Sequence, residues 1–184
     1  MAAPTTRLWT YDDYAAMPDD GRRYEIIEGE LVEMPGARTR HQDIQLEIAM
    51  ILRLYTREHH LGKVYVSPYD VLLSPVNVVQ PDVLFVSAAN MAIIGALNVQ
   101  GAPNLCVEVL SPGSSTRDLR EKRRLYARFG VREYWVVDPE RDAVTVLTLD
   151  GDAYTTLVEA TGDAAVRSLA LPGFAAPAAA FFPA

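Results

Sequence analysis

Two carboxylates stand where carboxylates are costly. Glu108 interrupts the apolar run Leu105-Cys106-Val107-Glu108-Val109-Leu110, bounded by Pro103 and Pro112, and such a run predicts a strand covered on both faces. Asp82 lies in a second apolar run, Val78 to Val86. An ionised group in either place needs a partner of opposite charge, and neighbouring strands would bring both acids to one cation. Lys122 adds to this pattern. A helix is predicted over 115–129, and a wheel of about 100° per residue gathers Leu119, Lys122, Leu125, Tyr126 and Phe129 on one stripe. The ammonium therefore faces inward. Asp118 falls on the same side, one turn earlier, while Arg117, Arg120, Arg123, Arg124 and Arg128 lie largely opposite. Two strand carboxylates and an inward lysine form a candidate site. A buried ion-pair cluster without catalysis would use the same residues, but it is a poor means of gaining stability.

The elements that must position these residues are legible in outline. Thr10 with Asp13 three residues on predicts a capped short helix ending before Pro18. Arg23 to Ile27 and Leu31 to Met34 flank Glu28-Gly29-Glu30, which reads as a hairpin turning at Gly29, with Glu25, Glu28, Glu30 and Glu33 facing solvent. Ile44, Ile48, Ile51, Leu52 and Tyr55 recur at helical spacing over about residues 39–60, with Gly62 as the helix stop. His41 extends that stripe by one turn and Glu47 borders it; a capping or satisfied core histidine is the simpler reading of His41.

Lys63 to Leu73 reads as one strand bent or edged at Pro68. The Asp82 strand follows, then a connection over 87–102 carrying Met91, Ile93, Ile94 and Leu97, then the Glu108 strand. Ser115 is placed as the N-cap of the Lys122 helix and Gly130 as its C-cap. Glu133 to Asp138 is another buried strand, and a hairpin turns at Asp150-Gly151-Asp152. The tail from Leu171 is rich in Ala and Pro. Residues 1–36 form a helix-and-hairpin appendage to a main domain over 37–184, the whole being a single domain.

With 184 residues, 49% of them hydrophobic, the chain suffices for one well-covered core. Its one cysteine, Cys106, excludes an intrachain disulfide and suits a reducing cytoplasm. The first residues lack the apolar core of a signal peptide, and no run approaches the length of a membrane span. A net charge of −7 argues against non-specific coating of nucleic acid. The arginines between Arg117 and Arg132 nevertheless form a local cationic patch, which is either a solvated helix face or a surface for phosphate.

The order helix, strand, strand with Asp82, strand with Glu108, helix with Lys122, strand resembles the α-β-β-β-α-β core of the PD-(D/E)xK nuclease superfamily. Three stretches are more closely similar to its Uma-type family of restriction endonucleases. They are Gln80-Pro81-Asp82-Val83; Glu108-Val109-Leu110-Ser111-Pro112 with Asp118, Lys122 and Tyr126; and Gly130-Val131-Arg132-Glu133-Tyr134-Trp135-Val136-Val137-Asp138-Pro139. The resemblance spans most of the chain. It implies an α/β fold with a restriction-endonuclease-like core: a central mixed sheet flanked by helices, with N-terminal and C-terminal hairpins. The superfamily's lysine two residues after the glutamate is replaced by Leu110, and the closer family implies that Lys122, on the following helix, takes its place.

That resemblance implies metal-dependent hydrolysis of phosphodiester bonds, with DNA as the substrate. Asp82, Glu108 and the Val109 carbonyl would bind Mg²⁺ or Mn²⁺, the cations that hard oxygen donors favour. Lys122 would orient the water or stabilise charge on the phosphate, with Asp118, His41 and Glu47 in support. Arg117, Arg120, Arg123 and Arg124 would meet the nucleic acid. A homodimer is expected from the apolar 91–97 connection, from the apolar tail and from the need to cut two strands. A catalytically inactive nucleic-acid-binding or dimerisation module that kept the fold is the alternative.

Overall fold

The structure, a computed structural model, is described over residues 7–111 and 118–183, excluding the side chains of Asp118 and Leu119. It opens with α1 (Tyr11–Ala15), whose Thr10 and Asp13 make the reciprocal capping box expected of them. The hairpin of β1 (Arg23–Ile27) and β2 (Glu30–Met34) turns at Gly29, where φ is +80°. The long helix α2 (Thr39–Glu58) buries Ile44, Ile48 and Leu52 along one stripe. It ends before Gly62, which instead begins the next strand.

Two corrections follow in the middle of the chain. The stretch read as one bent strand is two, β3 (Gly62–Val66) and β4 (Val71–Ser74), which belong to different sheets. The run from Val78 to Val86 is likewise split into β5 (Asn77–Val79) and β6 (Val83–Ser87), because Pro81 offers no amide to a ladder. The connection after β6 is a 3₁₀ helix over Ala88–Ile93 and the short β7 (Val99–Gln100).

Next come β8 (Leu105–Val109), a π-helical turn over Asp118–Lys122, and α3 (Arg123–Phe129), closed by Gly130 at φ +78°. The expected cap at Ser115 lies outside the described residues. The chain continues through β9 (Glu133–Asp138), the hairpin of β10 (Ala143–Asp150) and β11 (Ala153–Thr161), and the small pair β12 (Ala165–Arg167) and β13 (Ala175–Pro177).

The central sheet runs β11-β10-β9-β8-β6-β3, and all its pairs are antiparallel except β8 with β9. A parallel neighbour demands a crossover, so the segment carrying Lys122 must leave the end of β8 and return over one face of the sheet. Alternation along β8 sorts its side chains. Val107 and Val109 join the core beneath α2, while Cys106 joins Leu125, Tyr126 and Tyr134 on the α3 side. A second sheet, β2-β1-β5-β4-β7, contains the N-terminal hairpin.

The apolar tail is covered from within. Leu171, Phe174, Ala178 and Phe181 are buried in the core that contains α2 and Trp135, which removes the tail as an argument for a dimer. In the 91–97 connection Ile93 and Ile94 pack against the α3-side core, and Leu97 alone is conspicuously bare at 80% exposure.

Candidate active site

Glu108 is the fourth of the five residues of β8, at 3% exposure. Its alternation with Val107 and Val109 turns its carboxylate toward the α3 side, where the end of the π-helical turn and the start of α3 supply two donors. Lys122 Nζ lies 2.9 Å from Glu108 Oε1, and Tyr126 Oη donates to the same oxygen at 2.6 Å. Lys122 and Tyr126 share a face because they are four residues apart, and both are fully buried, Lys122 at 0% exposure. Burial, and after it the negative charge of Glu108, raises the Tyr126 hydroxyl well above its ordinary pKa, so it remains a proton donor. The same two causes raise Cys106, leaving an inert thiol beside the site.

Lys122 has a second carboxylate, and sequence reasoning missed it. Glu25 Oε1 lies 2.9 Å from Lys122 Nζ, with both side chains fully buried. Glu25 was expected to face solvent with Glu28, Glu30 and Glu33; those three are exposed, but Glu25 is at 0%. A signal existed in the strand itself. Glu25 shares a face of β1 with Ile27, two residues on, and Ile27 is buried. The same Glu25 oxygen accepts the Gln80 backbone N–H at 2.7 Å, and Gln80 Nε2 in turn donates to Asp70 Oδ1 at 2.9 Å. Burial, followed by the charge of Glu25, outweighs the Gln80 hydrogen bond and raises the Asp70 carboxyl above its usual range.

Asp82 immediately precedes β6. Because Val83 pairs with Val107, the antiparallel register sets Asp82 level with Glu108. Its Oδ2 accepts the Val109 N–H at 2.8 Å and lies 3.1 Å from His41 Nε2. The two acids thus adjoin along β8, yet their side-chain partners come from opposite sides of the sheet, α3 for Glu108 and α2 for Asp82. Gln45, one turn after His41, donates to the Asp82 carbonyl at 2.8 Å and to Ser67 Oγ at 2.9 Å. Gln45, rather than Glu47, is therefore the α2 residue that braces this corner; Glu47 is half-buried and makes no side-chain hydrogen bond or ion pair among the described residues.

Burial disfavours the charged form of His41, but the hydrogen bond and charge of Asp82, with help from the Val109 carbonyl, outweigh it and raise the ring's pKa. His41 reaches the Asp82 carboxylate through Nε2, while its buried Nδ1 has no hydrogen-bond partner among the described residues. Asp82 and Glu108, level with each other on adjoining strands, are hard oxygen donors of the kind that fits Mg²⁺ or Mn²⁺, which need only one or two carboxylates when waters complete the shell. Among the described residues no group of three His, Cys, Asp or Glu side chains is placed to hold a metal ion.

Of the predicted nucleic-acid contacts, Arg120 and Arg124 are exposed, while Arg123 donates to the Tyr154 carbonyl at 2.9 Å. All three, with Arg128, line a shallow cavity against Asp152 and Tyr154. Arg117 and the side chain of Asp118 lie outside the described residues.

The Uma2 family, described as "Putative restriction endonuclease", matches residues 11–179, and the chain belongs to it. Among solved structures the chain is similar to a protein of Anabaena variabilis described as "a putative nuclease belonging to DUF820". The TM-score is 0.78 at 18% sequence identity, covering 94% of this chain and 97% of that one. That likeness bears out the restriction-endonuclease-like fold. No curated protein matches the chain, and no helix among the described residues is long and apolar enough to cross a membrane.

Proposed function

We propose that this member of the Uma2 family is a nuclease that hydrolyses phosphodiester bonds of DNA with Mg²⁺ or Mn²⁺. The observation that carries the reading is Lys122, a fully buried ammonium held against Glu108 one residue from the amide that anchors Asp82. A buried ion-pair cluster gains little over an apolar core of the same volume, but a lysine so placed is suited to act on a charged substrate beside a carboxylate.

Asp82, Glu108 and the Val109 carbonyl are the donors that would hold the cation. When bound, a divalent ion supplies charge to the phosphate and makes a bound water more acidic. The chain's own groups do the rest. The Val109 N–H fixes the Asp82 carboxylate, Tyr126 fixes that of Glu108, and Lys122 directs its ammonium toward the water or a phosphate oxygen. His41 and Gln45 hold the Asp82 corner from α2. Arg120 and Arg124, exposed on α3 and the turn before it, meet the backbone of the nucleic acid, with Arg117 and Asp118 assigned from the sequence alone. Two copies acting together would suit cleavage of both strands.

A catalytically inactive nucleic-acid-binding module is the second reading, and one observation favours it. Both acids already have protein donors, His41 on Asp82 and Lys122 with Tyr126 on Glu108. Incubation with duplex DNA, single-stranded DNA and RNA, with Mn²⁺ or Mg²⁺, separates the two. The nuclease reading expects DNA cleavage and calorimetric Mn²⁺ binding, each abolished in Glu108→Ala. DNA binding without cleavage at any metal concentration would favour the inactive module.

A further inference from the structure

We propose that Glu25 is a positioning residue for Lys122, so that the N-terminal hairpin is part of the catalytic apparatus. The kinetic consequence rests on the nuclease reading; the structural pairing does not. Lys122 comes from the π-helical turn, Glu108 from β8 and Glu25 from β1. The ammonium is thus gripped by carboxylates from two different sheets, at 2.9 Å on each side.

A lysine held by one carboxylate can swing its flexible four-carbon stem about that contact. A second carboxylate removes the swing, provided that it is itself fixed. Glu25 is fixed, because its Oε1 also takes the Gln80 N–H at 2.7 Å, two residues before Asp82. One oxygen therefore ties the lysine to the segment that delivers the other acid. Among the described residues, Cys106 and Tyr126 also lie beside the ammonium and are kept protonated by burial, so they do not replace the charge of Glu25. The second oxygen, Glu25 Oε2, is buried without a hydrogen-bond partner among the described residues. An unshared buried oxygen is a cost that packing alone does not explain.

Glu25→Gln preserves the shape and an acceptor oxygen while removing the charge, and it is tested in two ways. In urea denaturation, Glu25→Gln is compared in the wild-type and Lys122→Met backgrounds. With Lys122 present, the substitution leaves a balanced ammonium-carboxylate pair and shifts the midpoint little. With Lys122 absent, it removes an uncompensated buried charge and raises the midpoint. An equal shift in both backgrounds would show that the residues do not act on one another and would overturn the proposal.

In cleavage of a DNA duplex, Glu25→Gln lowers kcat by roughly 10–100-fold, the scale of a small misplacement of a reacting group. KM stays within about twofold, because Glu25 does not face the arginine patch, and Glu25→Asp recovers part of kcat. Undiminished kcat in a wild type that cleaves would overturn the positioning role. A wild type that does not cleave would sink the nuclease reading instead, while the urea cycle would still decide whether Glu25 holds Lys122.

Discussion

Replacing Lys122 with methionine fills nearly the same volume and leaves no cavity, so its effect isolates the charge. An ammonium considered alone on an apolar helix stripe should cost energy to bury, and its loss should leave stability unchanged or raised. The structure reverses that sign. Lys122 is shared between Glu25 and Glu108, both buried, and its removal leaves two like charges facing each other with Tyr126 as the nearest donor to one of them. Breaking a buried ion pair by removing one partner costs roughly 3–5 kcal/mol. For a chain of this length that corresponds to a fall in Tm of about 6–20 °C. Urea denaturation followed by tryptophan fluorescence measures it directly, and adding Glu25→Gln and Glu108→Gln together should restore most of the loss. A Lys122→Met protein within about 1 kcal/mol of wild type would refute the reasoning, because the carboxylates would then have to be neutralised by something else.

Three further outcomes are expected. His41 has a raised folded pKa, so its stabilisation is complete below the ordinary value of about 6.5 and is lost as pH rises through the folded value; the advantage of wild type over His41→Asn should shrink as pH is raised above about 6.5. Glu133 accepts from Trp135 Nε1, Ser168 Oγ and the amides of Leu169 and Ala170, so Glu133→Ala should cost about 3–5 kcal/mol and expose the 168–183 segment to limited proteolysis. Substituting Arg120 and Arg124 together should reduce the log-log salt slope of DNA binding by about 0.9 for each phosphate left without its arginine. Arg123→Ala should change the slope less, since its guanidinium is already tied to the Tyr154 carbonyl.

What could be read in the sequence was whatever broke a local pattern. Asp82 and Glu108 are single charges in otherwise apolar runs and Lys122 a charge on an apolar helical stripe, and the structure buries Glu108 and Lys122 and sets Asp82 beside the Glu108 strand. Glu25 broke only a faint pattern, its shared face with Ile27 on β1. It lies among Glu28, Glu30 and Glu33, all exposed, and its partner arrives from a helix far along the chain. The sheet order suffered in the same way. Pro81 marks where the run from Val78 to Val86 breaks, but nothing local says that the two halves pair in different sheets; that assignment depends on where β1 and β8 lie. Leu171, Phe174 and Phe181 were hidden by the Ala and Pro around them, and their burial became evident only with α2 and Trp135 in place.

The pairing of Glu25 with Lys122 also bears on how this protein can be cut down. A boundary at residue 36 looks natural, since a fragment starting there would keep Asp82, Glu108, Lys122 and the whole six-stranded sheet. Such a fragment would lose Glu25, strip β5 of β1, one of its two antiparallel partners, and leave the Gln80 N–H without its acceptor. It could retain the outline of the fold and still be the wrong object for an activity assay. A silent truncated variant would then report on where the cut was made rather than on the chemistry of the intact chain.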